Sequence, residues 1–395
     1  MRALFVTNGH GETAIAQRIA QELRCLVGDA QLDHLALVGS LPSSAMHDVG
    51  PRAEMPSGGL IAMGNLRNIV RDVRAGLLAL TWRQAAYLRA ARGEYDVAVA
   101  VGDVYALLMT LLTAAPSIYV GTAKSVAVAG YGPLESAVLR RARACFVRDE
   151  ATAAALQKRR IAAEAANAIA DLIESPPRET AAGPLHGCAP ALALFPGSRE
   201  SAYADARFLL EVVRRVAAAW PGLRAALSIA PRLDAEIFAR DAQRSGWQVA
   251  APRDELRPFV LLRQGREIVT AWRGSLAALL SDATLVLGQA GTANEVAAAA
   301  GVPIVAFEEE RPRTGRWYRQ RQRGLLGEAL AVYPRSADVG AAAVAALLND
   351  PACLRRMSEA GKRRLGPRGG AARIARRIVT VAAQGTSEEV HVPIV

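Results

Sequence analysis

Ser281–Phe307, SDATLVLGQAGTANEVAAAAGVPIVAF, decides the fold. Ala283–Leu287 is a short apolar run of strand length, and Gly288-Gln289-Ala290-Gly291 opens the chain into a loop. An alanine-rich stretch from Ala293 has helical character, and Pro303–Phe307 is a second apolar strand. Strand, helix and strand in this order form the repeating unit of a parallel sheet. The same alternation extends upstream. A strand opens at Ala191, the loop Phe195-Pro196-Gly197-Ser198-Arg199 follows, and a helix runs to Trp220. Further strands are expected at Ala225–Ala230, Trp247–Ala250 and Glu267–Val269, with a helix over Leu233–Arg244.

A second series occupies the start of the chain. Strands are expected at Ala3–Thr7, Leu32–Val38, Val97–Val101 and Ser117–Val120, with Ala144–Arg148 the last. Helices are expected from about Thr13 to Leu23 and over Leu66–Ala91, and Gly39–Gly64 reads as a long functional loop. Pro176, Pro177, Gly183, Pro184, Gly187 and Pro190 punctuate an aperiodic stretch, the expected connection between two domains. The expected organisation is an N-terminal domain over 1–175, a linker over 176–190 and a C-terminal domain over 191–366. A helix and tail over 367–395 are expected to pack back on the first domain. The fold class is α/β, with two Rossmann-like domains facing across a cleft at the carboxyl ends of both sheets.

The 395 residues are 51% hydrophobic, enough for two cores, and carry a formal charge of +11. That charge is nearly all arginine, since Lys124, Lys158 and Lys362 are the only lysines. It suits a solvated basic surface or attraction to anionic headgroups and phosphates. Cys25, Cys145, Cys188 and Cys353 lack C-x-x-C spacing, so neither a zinc site nor a disulfide framework is expected. MRALFVTNGHGE lacks a signal-peptide pattern, and the longest apolar stretch, Val104–Ala115, falls short of the roughly 20 residues of a membrane span. The expectation is a cytoplasmic protein, soluble or peripheral on the inner membrane face, with no nucleic-acid partner.

Several residues carry candidate chemistry. In Asn8-Gly9-His10-Gly11-Glu12, Gly9 and Gly11 let backbone N–H groups approach an anion or a sugar, and His10 and Glu12 are candidate catalytic groups. Gly9, Gly11 and Ala14 fit G-x-G-x-x-A, but Glu12 falls where a pyrophosphate would sit. Leu37-Val38-Gly39 also lacks the acidic residue that grips the ribose of a dinucleotide. Asp103, after a buried strand, either faces the cleft or caps the next helix. Gly197, Ser198 and Arg199 combine an open backbone, a hydroxyl and a fork that fits phosphate. Gly288, Gln289, Gly291, Thr292 and Asn294 open a helix whose N-terminus favours a diphosphate. Thr292 and Glu295 make either a capping box or, through the carboxylate, a grip on ribose hydroxyls. Arg67, Arg71 and Arg74 share one helical face beside Leu77, Leu78, Leu80 and Trp82. The face is either an ordinary polar one or a dock for anionic lipid.

Read together, NGHGE, FPGSRES, the Ser281–Phe307 segment, Ala166–Asp171 (ANAIAD) and Tyr318–Gly327 (YRQRQRGLLG) give the chain a family resemblance. It resembles lipid-A-disaccharide synthase and, more closely, the lipid-A-disaccharide-synthase-related proteins, over nearly its whole length. FPGSR looks like that family's LPGSR, and ANAIAD is a degenerate G-N-P-x-x-D. YRQRQRGLLG ends in the related group's Q-x-x-L-L-G, which places Gln322 with the nucleotide-sugar contacts. The resemblance implies a glycosyltransferase of the B-type fold that uses a UDP-sugar donor, with no cofactor and no metal; no D-x-D motif is present. Asp103 is the nearest match to the synthase's catalytic carboxylate, with Val104-Tyr105 where the synthase has an Asp and a Pro.

The expected function is transfer of a sugar, the GlcNAc type among the candidates, from UDP to a lipid or lipid-linked acceptor. Peripheral contact with an anionic membrane is expected with it. A UDP-sugar 2-epimerase of the same fold and a non-catalytic UDP-sugar-binding protein are the alternatives. Neither the sugar, the acceptor nor the oligomeric state is legible.

Overall fold

The strands form where apolar runs are buried on both faces, as a parallel sheet flanked by helices requires. The computed structural model describes residues 1–39, 45–55, 66–122, 124–173, 183–308 and 313–388. The chain divides into two units, Met1–Leu172 with Pro367–Val395, and Ile173–Gly366.

The first unit contains β1 (Arg2–Thr7), α1 (His10–Leu26), β2 (Gln31–Ala36), β3 (His47–Asp48), α2 (Leu66–Arg74), α3 (Leu77–Ala90), β4 (Val97–Gly102) and α4 (Val104–Thr110). It continues with β5 (Ser117–Gly121), α5 (Pro133–Leu139), β6 (Ala144–Val147), α6 (Glu150–Gln157) and β7 (Ala163–Ala165). The second unit contains β8 (Ala191–Phe195), α7 (Ala202–Ala219), β9 (Arg224–Ser228), α8 (Ala235–Arg244), β10 (Gln248–Ala250), β11 (Val260–Arg263), β12 (Arg266–Trp272) and α9 (Leu276–Leu280). It continues with β13 (Leu285–Gly288), α10 (Thr292–Ala300), β14 (Ile304–Glu308), α11 (Arg313–Leu326), β15 (Leu330–Pro334), α12 (Ala337–Leu348) and α13 (Pro351–Leu365). The last helix, α14 (Gly370–Glu388), belongs to the first unit and packs on α1. Asp171, buried, caps it: its carboxylate accepts the N–H groups of Gly369 at 2.5 Å and Ala371 at 2.7 Å. The acid of the degenerate ANAIAD segment therefore holds the returning chain.

Strand order is β3-β2-β1-β4-β5-β6-β7 in the first sheet, parallel throughout. The chain moves outward from β1 to β3 and then re-enters on the other side at β4. In the second sheet the order is β10-β11-β12-β9-β8-β13-β14-β15, and the chain re-enters beside β8 at β13. Each reversal is a topological switch point, where the loops after the two central strands diverge and open a crevice.

Several expectations shift. The helix expected from Thr13 begins at His10, because Gly9 takes the N-cap position. The helical stretch Leu66–Ala91 is two helices, broken at Gly76, whose φ of +95° is left-handed. Ala144–Val147 is not the last strand of its sheet, since α6 and the three-residue β7 follow. β11 and β15 were not expected; β11 pairs antiparallel with β12 through Gln264-Gly265, both at positive φ, as a two-residue hairpin turn of type I′ demands. Of the long loop Gly39–Gly64, residues 40–44 and 56–64 lie outside the described residues, as do 176–182 of the expected connection. Among the described residues no single helix is long and apolar enough to cross a membrane.

Candidate functional site

Each unit presents its candidate residues at its own switch point. In the first, the loop after β1 meets the loop after β4. Gly102 ends β4 with φ +140°, and a Cβ there would lie 2.0 Å from Asn8 Oδ1, so the Asn8 carboxamide is seated on Gly102 and ties the two loops together. Glu12 bends back over the start of α1: its Oε2 lies 2.5 Å from where a Cβ on Gly9 would be, and its Oε1 accepts from Thr122 Oγ1 at 3.3 Å. A carboxylate thus occupies the approach to the first N–H groups of α1, which disfavours a phosphate there. The His10 side chain lies outside the described residues.

Asp103 is the N-cap of α4, with Oδ1 accepting from Tyr105 N at 3.0 Å and Ala106 N at 3.2 Å. Among the described residues Oδ2 takes no hydrogen bond. Burial raises the pKa of Asp103, against the lowering effect of the Ala106 and Tyr105 N–H groups. The capping role expected as one reading is therefore present, and one oxygen of a carboxylate made more basic remains for a proton. Glu135, on α5, is near enough to add its charge to Asp103. Burial works against the Glu135 carboxylate, but Lys124 at 2.7 Å and the Gly132 N–H hold its pKa below the ordinary value.

A buried polar chain supports this loop, and nothing in the sequence singled it out. Thr13 Oγ1 donates to Gly9 O at 3.0 Å and lies 3.0 Å from Thr7 Oγ1, which lies 2.9 Å from His34 Nε2. His34 Nδ1 lies 2.9 Å from Asp48 Oδ1, and Asp48 pairs with Arg52 at 2.9 Å. Thr7 and His34 are fully buried.

In the second unit, Gly288 of β13 pairs with Phe195 of β8, so FPGSR and GQAGT leave the sheet side by side. Phe195 O accepts from Gln289 N at 2.8 Å and Ala290 N at 3.1 Å, which locks the loops together. Ser198 and Arg199 are exposed, and among the described residues the Arg199 guanidinium makes no ion pair or hydrogen bond. The N-cap of α10 is Gly291, with no side-chain cap. The capping box read from Thr292 and Glu295 is therefore not formed: Thr292 is already the first helical residue, and the N-cap residue, Gly291, has no side chain to cap with. Glu295 is partly exposed in the first turn.

Three residues expected to contact the nucleotide sugar face inward. Asn294 is fully buried, its Nδ2 donates to Gly288 O at 3.1 Å, and a Cβ on Gly288 would lie 2.0 Å from its Oδ1. Like Gly102, Gly288 seats an asparagine carboxamide, here one from the helix that follows its own strand. The Gln289 carboxamide pairs with both backbone groups of Phe307, at 3.1 and 3.2 Å, extending the β13–β14 ladder by one rung. Gln322 is buried and donates to Ala290 O at 2.9 Å. These side chains set the loop, while Ser198 and Arg199 are exposed and Gly291, Thr292 and Ala293 partly so. Arg319, buried beside Gln322, was missed because it is one of several arginines in YRQRQRG.

No protein-family model matches the chain, and no curated protein matches it in sequence. Solved structures do match along its length. S. aureus MnaA in complex with UDP is 13% identical over 100% of this chain and 99% of its own, with a TM-score of 0.62. The fold is that of the B-type glycosyltransferases. UDP-GlcNAc 2-epimerase from Neisseria meningitidis, bound to UDP-GlcNAc, is 12% identical over 96% of this chain and 100% of its own, at a TM-score of 0.56. The calicheamicin glycosyltransferase CalG4 is 15% identical over 97% and 98%, at 0.57. At these identities the likeness is one of fold.

The polar chain behind Gly9 has a pH signature. Burial holds the His34 pKa below its ordinary value, against the pull of Asp48. The unfolded chain takes up a proton that the folded chain refuses, so His34 contributes stability above about pH 6.5 that is lost as pH falls through the folded pKa. In His34→Gln, the rise in melting temperature of the protein between about pH 5 and 7 should be flatter than in the parent. An unchanged slope in a pH series of thermal melts contradicts this.

Proposed function

We propose that the protein transfers a sugar from a UDP-sugar to a hydroxyl of a lipid or lipid-linked acceptor. The observation that carries this reading is the second unit's switch point, where the FPGSR loop with its exposed Arg199 leaves the sheet alongside the loop that leads to the Gly291 N-cap of α10. Both attract a diphosphate, and both stabilise the charge that develops on it as the sugar–oxygen bond breaks. The carboxylate of Glu295 is assigned to the ribose hydroxyls. Asp103 is assigned as the base that takes the acceptor proton, an assignment its raised pKa favours. The sugar is transferred to the acceptor oxygen with inversion, and UDP leaves.

A lipid acceptor is supported by the surface of the first unit. Leu134, at the start of α5 next to Glu135, is 85% exposed. Leu78 and Trp82 on α3 are 67% and 72% exposed, with Val70 and Val73 also outward on α2. Arg71, Arg74, Arg83 and Arg89 are exposed along the same two helices; the Arg67 side chain lies outside the described residues. Apolar side chains interleaved with arginines suit a peripheral dock on an anionic bilayer, where each basic residue contributes about 1 kcal/mol.

A second reading, UDP-sugar 2-epimerisation, is favoured by the full-length match to an epimerase of this fold. The two part on the acceptor. Incubated with UDP-GlcNAc alone, a transferase leaves the sugar unchanged and an epimerase yields an isomer.

With labelled UDP-sugar and membrane lipid extract, Asp103→Asn should lower turnover by about 10²–10⁴-fold and leave UDP affinity within about twofold. Undiminished turnover contradicts the assignment of the base. Sedimentation with vesicles tests the surface. The protein should bind vesicles containing anionic lipid, release in high salt, and bind poorly once Leu78 and Trp82 are changed to Ser. Equal sedimentation of parent and variant removes the membrane from the account.

A further inference from the structure

Arg319 lies on α11 with only 6% of its surface exposed. Its Nη2 donates to the backbone oxygen of Gln289 at 3.2 Å and to Gln289 Oε1 at 2.5 Å. Its Nε donates to Phe307 O at 3.3 Å, and its Nη1 to Gln322 Oε1 at 2.6 Å. Gln322, 4% exposed, passes the connection on to Ala290 O. The carbonyls of two consecutive loop residues are thus drawn toward α11. A trans peptide points its N–H opposite to its C=O. Turning Gln289 O toward Arg319 directs the Ala290 N–H to the other side, where it meets Phe195 O at 3.1 Å. Turning Ala290 O toward Gln322 directs the Gly291 N–H away from α11 in the same way, at the mouth of α10.

We propose that Arg319 is a positioning residue for diphosphate recognition. Through Gln289 and Gln322 it fixes the peptide planes of the loop, so that the N–H groups at the start of α10 stay turned toward an anion. The assignment rests on the UDP-sugar reading given above. A guanidinium suits the task because its planar fork reaches the two oxygens of Gln289, Phe307 O and Gln322 Oε1 together, which a single ammonium does not. Arg319 does not touch the ligand in this account. It acts on the phosphate-dependent part of affinity and leaves the nucleoside part alone.

Calorimetric titration of the full chain with UDP and with uridine separates these parts. The parent should bind UDP more tightly than uridine. Arg319→Lys should lose about tenfold in UDP affinity, equivalent to about 1.4 kcal/mol, with uridine affinity unchanged. Gln322→Met, which removes one acceptor of Arg319 and the donor to Ala290 O, should narrow the same ratio even if the lysine variant does not fold. Equal weakening of UDP and uridine, or no change in either variant, overturns the positioning role while the UDP reading stands. A parent that does not bind UDP overturns both.

Discussion

Where strand order reverses in a parallel sheet, the connections on either side leave in opposite directions, and the backbone groups at the strand ends lose the neighbours that would satisfy them. The rest of this molecule follows from that constraint, met twice. In the first unit it falls between β1 and β4, and in the second between β8 and β13. Both times a strand ends in a glycine, Gly102 or Gly288, on which an asparagine carboxamide is seated, Asn8 or Asn294. A side chain at Gly102 would displace the amide that ties the β1 and β4 loops, and one at Gly288 the amide that ties α10 to its own strand.

From this shared device the two switch points diverge in charge. In the first, the Glu12 carboxylate approaches the start of α1, and Asp103 caps α4 within reach of Glu135, which Lys124 pairs. The second carries the exposed Arg199 on the loop after β8, with the Arg319 guanidinium bonded to the loop after β13. In the function proposed above, the first switch point is assigned to a hydroxyl that must lose a proton and the second to an anion. A sugar donor with a diphosphate leaving group and an alcohol acceptor require the same division of labour.

The sheets were legible because strands buried on both faces are nearly continuous apolar runs, as in Val97–Gly102 and Ala191–Phe195. Strands two or three residues long, such as His47–Asp48 and Ala163–Ala165, leave no period to read, and the Gln264-Gly265 turn that announced β11 went unread. The loops of the site were legible from their glycines; the direction of each side chain was not. Gln289, Asn294 and Gln322 have the polarity of ligand contacts, yet their hydrogen bonds go to Phe307, Gly288 and Ala290. Whether an amide faces a ligand or its own backbone depends on strand register and on a helix far along the chain, which local composition does not encode. The same holds for His34 and Asp48, brought together by the pairing of β2 and β3.

Residue-resolved amide signals with and without UDP test the central claim most directly. Binding should shift and protect the N–H groups of Gly291, Thr292 and Ala293, with those of Gly197–Arg199 beside them, and should leave Gly9–Thr13 unaffected. Perturbation confined to Gly9–Thr13, with α10 unchanged, would place the nucleotide at the first switch point and contradict the account.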